Sequence, residues 1–255
     1  MKIILSRKGF DSSFGGHASL ILPDGTLLSI PIPGPNDEMT YSTIEKRYCG
    51  MRLVDLMSNV YQKVLFRNEW ENISENTRCH LDPDIDKDSL CRADGWRGAF
   101  GQAGSAQTVL ENNGVEEGDL FLFFGWFQRC FFVNGKWHIS NENGVHLLYG
   151  YMQIDQILYT HNSDVPEWLK YHPHCLERCI NRKSNCIYIG TETLSWDKSL
   201  DGYGMLQFHP HNILTSEGHS RSRWALPACF KDVKISYHSK NSWKKEGYFR
   251  LTIAQ

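Results

Sequence analysis

The segment Cys79-His80-Leu81-Asp82-Pro83-Asp84 packs a histidine and two carboxylates around one proline. Proline holds its own φ near −65° and pushes the residue before it towards extended backbone. An extended path would turn Asp82 and Asp84 to the same side, with Cα atoms roughly 6.5–7 Å apart. Two carboxylates so placed can hold a divalent cation, or divide into acid and base when their environments differ. Asp86 and Asp88 prolong the run. An EF-hand calcium loop would need Gly at its sixth position and Glu at its twelfth, where Lys87 and Ala93 stand. A solvated acidic turn fits the same residues.

Three further segments concentrate polar groups. In Tyr171-His172-Pro173-His174-Cys175 the proline again favours extended backbone, with both imidazoles facing one way. His172 and His174 are therefore the candidate ligands for a divalent metal, joined by a histidine or carboxylate from His80–Asp84. Cys179 and Cys186 stand at spacings of no familiar zinc module, so they are not expected to ligate. Phe208-His209-Pro210-His211 repeats the tripeptide. After the first apolar run, Lys8-Gly9-Phe10-Asp11-Ser12-Ser13-Phe14-Gly15-Gly16 resembles an anion-binding turn: Gly15 and Gly16 let backbone approach a phosphate, and Lys8 supplies charge. It lacks the order and spacing of a P-loop. Finally, Gln102 and Gln107 flank a loop-to-helix junction, where amides can read a base and Ser105 can cap the helix.

The elements that must position these groups are mostly short strands. Lys2–Ser6 reads as a buried strand, and Ser19–Leu22 and Thr26–Ile30 flank a Pro23-Asp24-Gly25 turn. Met51–Phe66 carries apolar residues at three- and four-residue spacing and reads as the longest helix, while Ser105–Asn112 reads as a second. Leu120–Phe124 reads as a central strand, and Asn134-Gly135 as a hairpin turn between Cys130–Val133 and Lys136–Ile139. Further strands are expected at His146–Met152, Ile157–Tyr159, Cys186–Ile189, Met205–Phe208, Val233–Tyr237 and Tyr248–Ile253. Strands outnumber helices without alternating with them. The expected fold is α+β: a mixed or antiparallel β-rich core with a few covering helices, in a single domain over residues 1–255.

Composition narrows the partners. The chain has 255 residues, 41% hydrophobic and 22% charged, with a formal net charge of −2. It cannot coat nucleic acid by bulk charge, so any such contact is local. A basic stretch from Gly218 to Arg250 offers that contact, with Arg221 and Arg223 as its best phosphate-binding pair. The acidic stretch Asn68–Asp94 could instead neutralise it internally. The opening MKIILSRKGFD is too short in apolar residues for a signal peptide, and no apolar run reaches the roughly 20 residues that span a bilayer. A cytoplasmic protein with reduced cysteines and no membrane contact is the expectation.

Taken in order, KGFDSSFGG, LPDGTLLSIPIP, CHLDPD, FGQAGSAQ, GVEEGDLFLFFGWF and HPH resemble the third type of nucleotide-modification-associated domain. That family is found in bacterial and phage gene neighbourhoods concerned with DNA modification and conflict. The ending Arg250-Leu-Thr-Ile-Ala-Gln255 departs from the Gly-Gln-Glu-Phe-Val close of similar chains. The resemblance implies work on nucleotides or modified DNA, and matches the polar positions Lys8, Asp11, His80, Asp82, Asp84, Gln102, Gln107, His172 and His174. In an enzyme reading, His80, Asp82, Asp84 and Asp11 are the candidate catalytic residues, and Lys8, Gly15, Gly16, Gln102, Gln107, Arg221 and Arg223 bind the nucleotide or DNA. Hydrolysis and group transfer are both compatible, in a setting of DNA modification or phage defence. In a reader reading, Gly114–Phe127 with Gly150-Tyr151 resembles a partly closed PUA-like barrel, with Trp126 and Tyr151 as stacking walls for a modified base.

Overall fold

A computed structural model describes residues 1–227 and 230, together with the backbone of Lys234–Ile235 and Phe249–Arg250. Lys231, Lys240, Lys244, Lys245 and the chain end 251–255 lie outside the described residues. The strands expected at Val233–Tyr237 and Tyr248–Ile253 are described only at those two backbone pairs.

Ten strands make one curled, half-barrel sheet. They are β1 (Ile3–Arg7), β2 (Ser19–Ile21), β3 (Leu27–Leu28), β4 (Ala99–Ala103), β5 (Leu120–Val133), β6 (Lys136–Ile139), β7 (Val145–Tyr159), β8 (Asn185–Gly190), β9 (Tyr203–Met205) and β10 (Lys234–Ile235). The central order is β4-β8-β7-β5-β1-β10, with β6 and β2 also on β5, β3 on β2, and β9 on β7. β1 runs parallel to β5 and β10, and β2 runs parallel to β5. The other ladders are antiparallel. The fold is thus α+β with a mixed, β-rich core, as the pattern of short strands predicts.

β5 and β7 are longer than their apolar runs suggest. Leu120–Phe124 and the hairpin arm Cys130–Val133 are two ends of one 14-residue strand, and His146–Met152 and Ile157–Tyr159 likewise fuse. Polar Gln128, Arg129 and Asp155 interrupt the hydrophobic pattern but do not end the strands. A register shift between Phe123 and Phe124 in the β5–β7 ladder, and another between Ile154 and Gln156 in the β7–β8 ladder, bend the sheet and help it curl. The hairpin turn forms as predicted, Asn134 and Gly135 both taking left-handed φ (51° and 78°).

The expected helix Met51–Phe66 is shorter. α1 covers Leu53–Val60, and Gln62 (φ 65°) turns the chain into a strand at Lys63–Phe66. A two-residue turn at Arg67-Asn68, both at positive φ, hairpins this strand against Glu69–Asn72. Val64 and Leu65 suit either a helix stripe or a strand, and the turn decides. α2 covers Ser105–Asn112, capped by Gly104 at φ 63° and not by Ser105, and α3 is the short Glu177–Ile180.

The two faces of the sheet carry different cores. Ile4, Phe100, Phe121, Phe123 and Tyr188 pack on one, and Leu5, Phe124, Leu214 and Trp224 on the other. Successive side chains of a strand alternate between faces. Just past β1, the Lys8 ammonium accordingly lies 4.3 Å from the centroid of the Phe100 ring. Arg7 shares the face of Leu5.

Candidate functional site

Asp82 follows a two-residue strand, Cys79–His80, that pairs with Ile32–Pro33. The loop carries its carboxylate inwards to the end of β1 and the middle of β4. Oδ2 meets Lys8 Nζ at 2.9 Å, and Oδ1 accepts the Gly101 backbone N–H at 2.6 Å. The side chain is fully buried, Lys8 is 16% exposed, and the turn is not the solvated one its composition permits. Burial works against the charged carboxylate, yet the Lys8 ammonium leads the groups that hold it well below the usual range. Asp82 is ionised.

Two histidines face it. His172 caps, and His174 lies within, a 3-10 turn, Pro173–Cys175, in which the His172 side chain accepts the His174 backbone N–H. His172 Nδ1 is therefore the acceptor nitrogen, and its Nε2 carries the proton, 3.5 Å from Asp82 Oδ1 and too far for a full hydrogen bond. His174 Nδ1 lies 2.6 Å from Asn185 Oδ1. The Asn185 amide can sit only one way, because its Nδ2 donates to the His174 carbonyl and to Thr160 Oγ1, whose own proton goes to the Ile180 carbonyl. His174 must then donate from Nδ1, which leaves Nε2 as a bare lone pair. Burial pushes this imidazole down to about 3, so it is neutral at physiological pH. His80 is arranged alike: Nδ1 lies 3.1 Å from Asp37, which Arg178 also engages.

His80, Asp82 and His174 thus each present one ligand atom, all within 4.8 Å of one another. Among the described residues these three form the group that could hold a metal ion. His172, expected as a ligand, instead props the turn beneath His174. The partly exposed side chains of His80 and Lys8 mark the open edge of the cluster. On its inner side Asp82 borders a cavity of about 40 Å³, roomy for water but not for a nucleotide.

Residues 2–255 match the family described as nucleotide modification associated domain 3. The chain belongs to this family. No curated protein and no solved structure matches it. Membership sets the cluster in a context of nucleotide modification. No helix among the described residues is long and apolar enough to cross a membrane.

In this family member the remaining sequence-predicted residues fall elsewhere. Asp84 is bound through both oxygens by Arg92 (2.6 and 2.7 Å) and by the Tyr171 hydroxyl (2.5 Å). Asp11 ties its own turn, accepting the N–H groups of Ser13 and Phe14 and pairing with Arg7 at 3.2 Å. It borders a cleft of about 690 Å³ with Arg7, Trp126 and Arg221, whose guanidinium lies 3.9 Å from the Trp126 ring centroid. Arg223 stands on a two-residue strand that pairs with Phe249–Arg250. Gly15 and Gly16 (φ 87° and 76°) are packing positions: a Cβ would stand 2.3 Å from the Phe10 ring or 2.5 Å from Trp70. Gln107 accepts the Tyr188 hydroxyl and donates to Glu111, and Gln102 is buried on β4 opposite Cys186. Burial pushes the Cys175 and Cys186 thiols up to about 12, which keeps them protonated. The other tripeptide, His209-Pro210-His211, makes the same capped turn at the surface, so the turn itself is a local device.

Asp37, Gly101, Arg178 and Asn185 escape a reading of the sequence. Gly101 alone leaves a trace. Glycine inside a strand marks close approach, and here a Cβ would stand 2.2 Å from the His174 ring. Asp37 and Asn185 act at long range, and no local pattern announces them.

Proposed function

We propose that the chain is an enzyme that modifies nucleotides or nucleic-acid bases, by hydrolysis or group transfer, with its reaction centre at Lys8, His80, Asp82 and His174. One observation carries this reading: two imidazoles oriented through their Nδ1 atoms face an ionised, buried carboxylate beside an ammonium. Burying such groups opposes folding, and a scaffold of this kind has no need of them. Lys8 supplies positive charge for a phosphate or a developing oxyanion, and the His80–Asp82–His174 face is where reacting atoms are activated. Asp84 has no part in this reading, because Arg92 and Tyr171 occupy it.

The alternative of a non-catalytic base reader needs open stacking walls. One face of Trp126 is covered by Arg221. That favours the enzyme. The test is mass spectrometry of nucleotides and of oligonucleotides with natural and modified bases, after incubation with parent and His80→Gln. The parent should convert at least one substrate, and the variant should do so on the order of 100-fold more slowly at an unchanged melting point. Tight binding without any conversion, or full turnover by His80→Gln, would overturn the reading.

A further inference from the structure

We infer that His80, Asp82 and His174 form a two-histidine, one-carboxylate site for a divalent transition metal, open on its His80 side. Deepening the reaction centre proposed above, the inference names the ion that centre holds. It stands on the placement of lone pairs and on the groups behind the ligands.

Three lone-pair donors from two separate parts of the chain converge within 4.8 Å: the segment His80–Asp82, which leaves a short strand, and the turn at His174. Hydrogen bonding fixes which nitrogen of each ring is left to ligate. Asp37 takes Nδ1 of His80 and Asn185 takes Nδ1 of His174, leaving Nε2 as the outward atom of each. A carboxylate or carbonyl oxygen behind the far nitrogen is the arrangement that orients metal-binding imidazoles and raises their basicity. Both supports are themselves anchored. Arg178 holds Asp37, and the Asn185 amide donates twice, to the His174 carbonyl and to Thr160. Asp82 has capacity to spare, since a carboxylate offers about four lone-pair sites and the Gly101 N–H and Lys8 use two.

The ligand chemistry selects the class of ion. Calcium and magnesium prefer all-oxygen shells, whereas two imidazoles with one carboxylate suit zinc and ferrous iron, with positions left for water or substrate. The missing side chain of Gly101 belongs to the same design. It lets the His174 ring lie against β4, and its N–H holds the carboxylate that His174 faces.

The experiment titrates the full chain, stripped with chelator, with Co²⁺ by absorption and with Zn²⁺ by calorimetry. One equivalent should bind, with Co²⁺ giving visible ligand-field bands. His80→Gln and His174→Gln should each weaken binding at least about 100-fold, and Asp37→Asn about 10–100-fold through the loss of orientation. Gly101→Ala should weaken it by displacing His174, whereas His209→Gln/His211→Gln, from the surface copy of the tripeptide, should change nothing. His80 is half-buried at the edge, so its variant folds even where the His174 variant does not, and a melting curve accompanies each. Absence of a stoichiometric site in the parent, or parental affinity in folded His80→Gln, would overturn the inference. The enzyme reading fails separately: metal bound without turnover refutes that reading alone, and turnover by a parent that binds no metal refutes the site alone.

Discussion

Replacing Asp84 by asparagine should damage stability and leave the reaction centre intact, whereas the same replacement at its neighbour Asp82 should strike the reaction centre itself. The two carboxylates stand two residues apart and look interchangeable in sequence. In the fold Asp84 is 1% exposed at its side chain and lies against Arg92, itself 12% exposed. The guanidinium makes two bonds to Asp84 at 2.6–2.7 Å and further bonds to the Asp86 carbonyl, Ser89 and Tyr171. It also stacks 3.8 Å from the Trp96 centroid. Removing one partner of a buried, fully bonded pair costs about 3–5 kcal/mol, because the other charge stays desolvated. For a chain of this size each kcal/mol lowers the melting temperature by about 2–4 °C, so Asp84→Asn should melt roughly 6–20 °C below the parent. The double replacement Asp84→Asn/Arg92→Met should recover part of that loss, since no lone charge remains. Scanning calorimetry measures both, and Co²⁺ titration below the transition should give parental affinity for Asp84→Asn. A melting point within about 2 °C of the parent, with metal binding or turnover lost, would show that Asp84 serves the centre and would refute this division of roles.

Two other replacements separate packing from recognition. Gly15→Ala puts a Cβ 2.3 Å from the Phe10 ring at a left-handed φ, so it should cost about 1–3 kcal/mol in a denaturant melt while nucleotide affinity per folded molecule stays parental; lower affinity at an unchanged melt would return Gly15 to the binding site. Arg221→Ala removes the guanidinium stacked on Trp126, and it should weaken oligonucleotide binding and lower the log–log salt slope by about 0.7–0.9; an unchanged slope with a lowered melting point would make Arg221 a structural residue.

Fold class was legible because alternating apolar runs and turn residues are local. The Asn134-Gly135 hairpin and the Ser105–Asn112 helix form where the sequence places them. The helix over Met51–Phe66 was misjudged because Val64 and Leu65 satisfy two periodicities, and a pair of left-handed residues at Arg67-Asn68 settles the matter. The segments that matter were visible as unusual concentrations of polar residues. Their division of labour was not. Asp82 and Asp84 differ only in what arrives from elsewhere, Lys8 with Gly101 for one, and Arg92 with Tyr171 for the other. His80 and His172 differ likewise, since Asp37 supports one as an outward-facing base and the turn consumes the other. Among the described residues, the acidic stretch Asn68–Asp94 draws cations from Lys8, Lys46, Arg52 and its own Arg92, and not from the basic stretch that begins at Gly218.

Three of those carboxylates, Asp82, Asp84 and Asp86, stand at alternate positions and each has a cation, yet only one is set among acceptors. Asp84 faces donors, from Arg92 and from Tyr171. Asp86 is held by Lys46 at 2.7 Å and accepts the Asp88 N–H. Asp82 faces Lys8 and Gly101 on one side and two imidazole nitrogens with outward lone pairs on the other. Lone pairs converging beside a negative charge repel one another, and low dielectric sharpens the repulsion. A fold that wanted only an anchored loop would turn the proton-bearing edges of those rings towards the carboxylate. Here Asp37 and Asn185 hold them the other way round, and a positive species shared by the lone pairs at the proposed site would relieve the repulsion. Lys8 cannot fill that role for all three while it rests against the Phe100 ring and Asp82. A proton could serve one nitrogen at a time, whereas a divalent cation answers the two imidazoles and the carboxylate together.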